Sequence, residues 1–136
     1  HDLKFIMKLD DGVVSLINDK SFAYISLIDA DGFPHVTPVW VDTDGKNVII
    51  NTAEGRKKQK LAKKGSAVTV TITNPSNPYK YVMIKGKIKE QTGTQAEEHI
   101  DKMASKYMGV KKYPKSSPDE RRVLIYIEPV NVIKNL

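Results

Sequence analysis

The chain has 136 residues, of which 40% are hydrophobic and 28% charged, ordinary globular usage at a length that fits one domain, 1–136, with a core of its own. A formal charge of +6 and a pI near 9.4 favour acidic partners: nucleic acid, an anionic membrane surface or a phosphorylated small molecule. With no cysteine there is neither a disulfide framework nor a thiolate metal site, and three scattered histidines, His1, His35 and His99, argue against zinc, so no metal is expected.

No apolar run approaches a membrane span and the first twenty residues lack a signal-peptide pattern, so a cytoplasmic protein without membrane contact is expected. The chain opens on His1 rather than methionine, and His1 is given no role.

In chain order, residues 9–19 place Val13, Val14, Leu16 and Ile17 at helical spacing behind Asp10 and Asp11, which predicts a short amphipathic helix capping a sheet. Residues 21–29 are apolar and aromatic with β-branched insertions, a strand closed by the turn residues Asp29 to Gly32. Phe33 to Asp42 reads as a second strand, placed at an edge or bulge because Pro34 and Pro38 each remove a ladder donor. A second hairpin, Asp42 to Gly45, leads into a third strand, Lys46 to Thr52.

Ala53-Glu54-Gly55 breaks the alternation, and from Arg56 to Lys64 the spacing is helical, with six of nine residues Lys or Arg. Arg56, Lys57 and Lys58 fall on the opening turn, where unpaired N–H groups and the positive end of the dipole favour acids. Cations there are unfavourable unless an anion binds. One reading is therefore a phosphate pocket built from Thr52, Arg56, Lys57 and Lys58; the other is a solvated basic helix.

Ser66 to Thr73 alternates strictly and is a strand, followed by a rigid loop from Asn74 to Pro78. Tyr79 to Glu90 resumes the period of two, and its internal Gly86 suggests a bulge or the close approach of another backbone. Thr94 to Tyr107 predicts a helix with Thr94 and Glu97 in capping-box spacing. A loop rich in Gly, Pro and Ser over 108–121 precedes a last strand, Arg122 to Ile133, interrupted by Pro129. Short strands with regular turns and few crossover helices predict a mainly β (α+β) antiparallel barrel.

The run Phe22, Asp31-Gly32-Phe33-Pro34-His35-Val36-Thr37-Pro38-Val39-Trp40, Asn51-Thr52, Gly55-Arg56-Lys57-Lys58, Asn77-Pro78-Tyr79-Lys80-Tyr81-Val82 and Lys85-Gly86 resembles the pyridoxamine 5'-phosphate oxidase-like split-barrel flavoproteins. Its nearest likeness is to the branch that uses the deazaflavin coenzyme F-420. The resemblance implies a six-stranded antiparallel split β-barrel with short flanking helices, forming a homodimer with two cofactor sites at the subunit interface. It implies that Val36 to Trp40 run beside the isoalloxazine ring, that Asn51 and Thr52 lie near the phosphate end, and that Arg56 and Lys57 bind the phosphate, with Lys58 in the lysine's place if the register shifts by one.

The chain is shorter than the oxidase proper and has no match for its C-terminal substrate segment, which argues against vitamin B6 oxidation. What the resemblance implies is a flavin- or deazaflavin-dependent oxidoreductase that binds FMN or coenzyme F-420 and transfers hydride to or from a small organic substrate. The cofactor performs the chemistry, so no catalytic side chain is assigned, in keeping with the lack of a catalytic cysteine or nucleophile elbow. Lys111, Lys112 and Lys115 would suit the acidic tail of the deazaflavin or simply face water. Trp40 lines the ring pocket or the core, Tyr79 and Tyr81 flank the cofactor or pack, and His35 reads as a loop residue. Two rivals remain: a basic β-barrel that binds nucleic acid, disfavoured because the cations cluster at one junction, and a flavin-binding carrier or sensor without turnover.

Overall fold

The computed structural model describes residues 9–136; His1 lies outside the described residues. Along the chain the elements are α1 (Asp11–Asn18), β1 (Phe22–Ile28), β2 (Pro34–Val39), β3 (Asp42–Thr43), β4 (Val48–Ala53), α2 (Lys57–Leu61), β5 (Ala67–Asn74), β6 (Asn77–Thr92), α3 (Ala96–Met108) and β7 (Arg122–Asn135). All strand pairs are antiparallel, and the order across the sheet is β2-β1-β5-β6-β7-β4-β3.

That order dictates the shape. β2 and β3 are the two edges, yet only Trp40 and Val41 separate Val39 from Asp42. Three residues of chain reach about 11 Å at most, whereas a flat seven-stranded sheet would hold its edges about 29 Å apart. The sheet must therefore curl until its edges approach, which makes the split barrel. Seven strands stand where six are expected, because the segment 33–42 is not one strand: its ladder with β1 ends at Val39 and the chain re-enters at the opposite edge as β3.

The barrel interior is filled by the alternating inward residues of the strands, among them Ile25, Val48, Ile50, Val70, Ile84 and Ile127. α1 closes one end with Val13, Leu16 and Ile17, capped by the Asp10 carboxylate, which accepts from Val13 N at 3.0 Å. α3 covers the outer face of β4 and β7, where Ile49, Leu124 and Ala96 form a second apolar cluster, so β4 is buried on both sides. Among the described residues, none covers the outer face of β1 and β2.

Gly86 lies opposite Pro129 where the β6–β7 register shifts. A Cβ there would lie 2.4 Å from the Glu128 carbonyl oxygen, so the expected close backbone approach is present.

Two helix expectations are corrected. The basic helix ends at Leu61 rather than Lys64, because the Gln91 amide donates to the carbonyls of Gln59 (2.8 Å) and Ala62 (2.7 Å) and terminates it after five residues. The capping box of α3 does not form. Gln95 occupies the cap in a left-handed conformation, and Glu97 accepts instead from Arg122 N at 3.1 Å and pairs with Lys115.

Candidate functional site

The strand-to-helix junction after β4 opens onto a cavity of about 540 Å³, a volume suited to a small organic ligand. Its floor is the crossing between the sheet edges. Trp40 stacks on Tyr107 of α3 with ring centroids 5.2 Å apart and planes within 2°, and Tyr113 meets Trp40 edge-on at 5.9 Å. The Tyr107 hydroxyl donates to Ser21 O at 3.1 Å and accepts from Val41 N at 3.4 Å, so this side chain ties α3 to the crossing. Phe22, Pro38, Val39, Ile100, Met108 and Pro114 complete the apolar lining.

The opposite end is cationic. Arg56, Lys58 and Arg122 all line the cavity, with Asn51 and Thr52 beside them. Half-burial lowers the pKa of Lys58, and the nearby charges of Arg56 and Arg122 lower it further. Arg122 is 5% exposed; its Nε donates to Asn51 Oδ1 at 2.9 Å and its Nη1 to Glu120 Oε2 at 2.9 Å. Its guanidinium also lies 4.9 Å from the Tyr113 ring centroid. Glu120 reaches Arg56 only at 3.7 Å, so one carboxylate serves two guanidinium groups, and among the described residues no carboxylate pairs with Lys58. The Thr52 hydroxyl is buried without a hydrogen-bond partner among the described residues, an uncommon state for a buried polar group.

The sequence-derived site residues are thus divided. Pro38, Val39, Trp40, Asn51, Thr52, Arg56 and Lys58 come together around the cavity. Lys57 points away and pairs with Asp29 at 3.0 Å, which holds that carboxyl below its usual range. Val36 is exposed on the outer face of β2, Thr37 is off the cavity with its hydroxyl also unpartnered, and Tyr79 stands 82% exposed at the start of β6. His35 belongs to β2 rather than to a loop, across from Leu27, and is not a cavity residue.

A family model described as pyridoxamine 5'-phosphate oxidase matches residues 9–135. The chain is a member of the pyridoxamine 5'-phosphate oxidase family. Solved structures share its fold: an F420 reductase at 22% identity and a TM-score of 0.76, over 93% of this chain and all of that one; an FAD and heme binding protein from Mycobacterium smegmatis at 12% and 0.65, over 93% and 70%; and HupZ from Group A Streptococcus at 18% and 0.64, over 93% of each. No curated protein matches the chain in sequence.

Three cavity residues escaped the sequence reading, Tyr107, Tyr113 and Arg122, as did His99, which contacts Asn51 from behind the cavity lining. Arg122 opens β7 beside Ala53, and α3 lies over both β4 and β7, so residues some 50 to 70 positions apart converge. The only signal in the sequence was an Arg-Arg pair opening an apolar strand. Among the described residues no three His, Cys, Asp or Glu side chains cluster to hold a metal ion, and no helix is long and apolar enough to cross a membrane.

Proposed function

We propose that the protein is an oxidoreductase that holds a phosphate-bearing flavin, FMN or the deazaflavin coenzyme F-420, and serves hydride transfer to or from a small organic substrate. The observation that carries this reading is one cavity with three cations and an unpartnered buried hydroxyl at one end and stacked aromatic side chains at the other. A phosphate fits the first end, since Arg56, Lys58 and Arg122 supply charge-assisted donors. A planar, largely apolar ring system fits the second, beside Pro38, Val39 and Trp40.

The bound cofactor supplies the hydride chemistry. This chain supplies position: the cations fix the cofactor's anionic end, the parallel rings of Trp40 and Tyr107 stack beside its ring system, and the 108–121 segment lines the cavity through Tyr113 and Pro114. Lys58, whose ammonium is disfavoured in the empty cavity, regains a partner when an anion enters.

A homodimer belongs to the same proposal. The uncovered face of β1 and β2 carries Phe22, Tyr24, Ile28 and Val36 at 64%, 44%, 59% and 55% exposure, aligned across the ladder with Pro34 and Pro38. Phe22 also lines the cavity, so a second copy packed on this face would wall the cavity's open side and bring Val36 against it.

Titrating the purified protein separately with FMN and with coenzyme F-420, followed by absorption, tests the reading. Saturable micromolar binding of one of them, lost in Arg56→Ala/Lys58→Ala, is expected. Failure of both to bind refutes it, and binding without turnover of any reductant would reassign the protein as a carrier or sensor.

A further inference from the structure

We infer that His99 and Asp42 are positioning residues that lock the Asn51 amide and, through it, aim Arg122 at the cationic, anion-binding end of the cavity. The inference follows from hydrogen-bond roles. Asn51 Nδ2 lies 2.9 Å from Ala96 O, which can only accept, and Arg122 Nε, which can only donate, lies 2.9 Å from Asn51 Oδ1. Turning the amide over would set oxygen against oxygen and N–H against N–H, so its orientation is fixed.

The second Nδ2 hydrogen then meets His99 Nδ1 at 3.0 Å. That ring nitrogen must accept, so the imidazole is the neutral Nε2–H tautomer, and Nε2 donates to Asp42 Oδ2 at 2.9 Å. Protonated His99 would turn an N–H toward the Asn51 amino group. The lock would break, and Arg122 would lose the oxygen that fixes its Nε.

The charged groups facing His99 are Asp42 from β3, Lys102 from its own helix, which shares Asp42 Oδ2 at 3.2 Å, and Arg122 from β7 beyond Asn51. Lys106, a turn further along α3, also acts on Asp42. Asp42 and Glu120 both titrate below their ordinary range, so they stay ionised from pH 5.5 to 8, where histidine is the side chain that changes charge.

The experiment uses sulfate as the probe, because its charge is constant over that range whereas a phosphate monoester's is not. For the natural sequence, sulfate affinity by calorimetry should fall about three- to tenfold from pH 8 to pH 5.5, the worth of one hydrogen bond. His99→Gln keeps an acceptor for Asn51 and a donor for Asp42 but cannot be protonated, so its affinity should be flat with pH. Equal acid weakening in both proteins overturns the inference. Nitrogen-15 spectra of the imidazole at pH 8 should show the Nε2–H tautomer, and the Nδ1–H tautomer overturns it as well. The sulfate arm rests on the anionic reading of the cavity. If neither protein binds sulfate, that reading fails, and the tautomer alone decides the lock.

Discussion

Lys57 and Lys58 are adjacent and equally basic, and the family resemblance favours Lys57, but the structure separates them. Lys58 is half-buried at the cavity wall beside Arg56 and Arg122, whereas Lys57 is half-exposed and already paired with Asp29. Removing one charge-assisted hydrogen bond to a phosphate costs about 1.5–3 kcal/mol, so Lys58→Ala should weaken FMN or F-420 binding by about 12- to 150-fold. Lys57→Ala removes an exposed pair worth about 0–1 kcal/mol to folding, and its charge acts on the ligand only through screened solvent. Its effect on affinity should stay within about threefold. The assay is a fluorescence titration at physiological salt, with circular dichroism to show that both variants fold. Lys58→Ala should not destabilise the ligand-free protein, since it relieves repulsion among three cations. A Lys57→Ala loss equal to or larger than that of Lys58→Ala would refute the assignment of the two side chains.

Asp42 gives a pH-dependent prediction. Burial alone would raise its pKa, but hydrogen bonds from His99 and the Thr43 backbone and the charge of Lys102 outweigh it and hold it at about 2, below its ordinary 3.8. A depressed carboxyl pKa stabilises the fold above the unfolded value and loses that contribution as pH falls through the folded value, here between about pH 4 and pH 2, a difference of about 2 kcal/mol. Asp42→Asn should therefore unfold at lower urea at pH 7, with the gap to the natural sequence closing toward pH 2; a gap constant to pH 2 would count against the pairing. Gly86→Ala should cost about 1–3 kcal/mol or more, because the new Cβ meets main chain rather than a movable side chain, and a urea midpoint within error of the parent would show that β6 and β7 separate there at no cost. Trp40, the single tryptophan, lies in the cavity wall, so ligand binding should quench the intrinsic tryptophan emission; unchanged emission at saturation would place the ligand elsewhere.

Most of the fold was legible because its signals are local. The alternation in 66–73 and 79–90, the Asp-Gly turns and the interior glycine each reflect one strand or one turn, and they lead to β5, β6 and the Gly86 bulge. The misreadings share a cause in partners distant in sequence. The end of α2 is set by Gln91, about 30 residues downstream, and the N-terminus of α3 lost its capping box because Glu97 serves Arg122 and Lys115 instead. The site divides in the same way. Arg56, Lys58, Asn51 and Thr52 lie on contiguous chain and could be read together, whereas Arg122, His99 and Tyr113 join them only because β4 pairs with β7 under α3.

The dipole of α2 does not account for the unfavourable setting of its cations. With five residues, α2 has too few aligned peptides for a substantial macrodipole, and its N-cap, Arg56, makes no capping bond. What disfavours the cations is instead burial, which lowers the pKa of Lys58, with the nearby charges of Arg56 and Arg122 lowering it further. This changes the expected response to a ligand. A dipole would attract any anion near the helix start, whereas Arg122, held by Asn51 and Glu120, gives the pocket one charge that is fixed in direction before anything binds. Such a pocket discriminates by geometry as well as by charge, which a solvated basic helix does not, and it does so one strand away from the aromatic wall that Trp40 forms by crossing between the sheet's two edges.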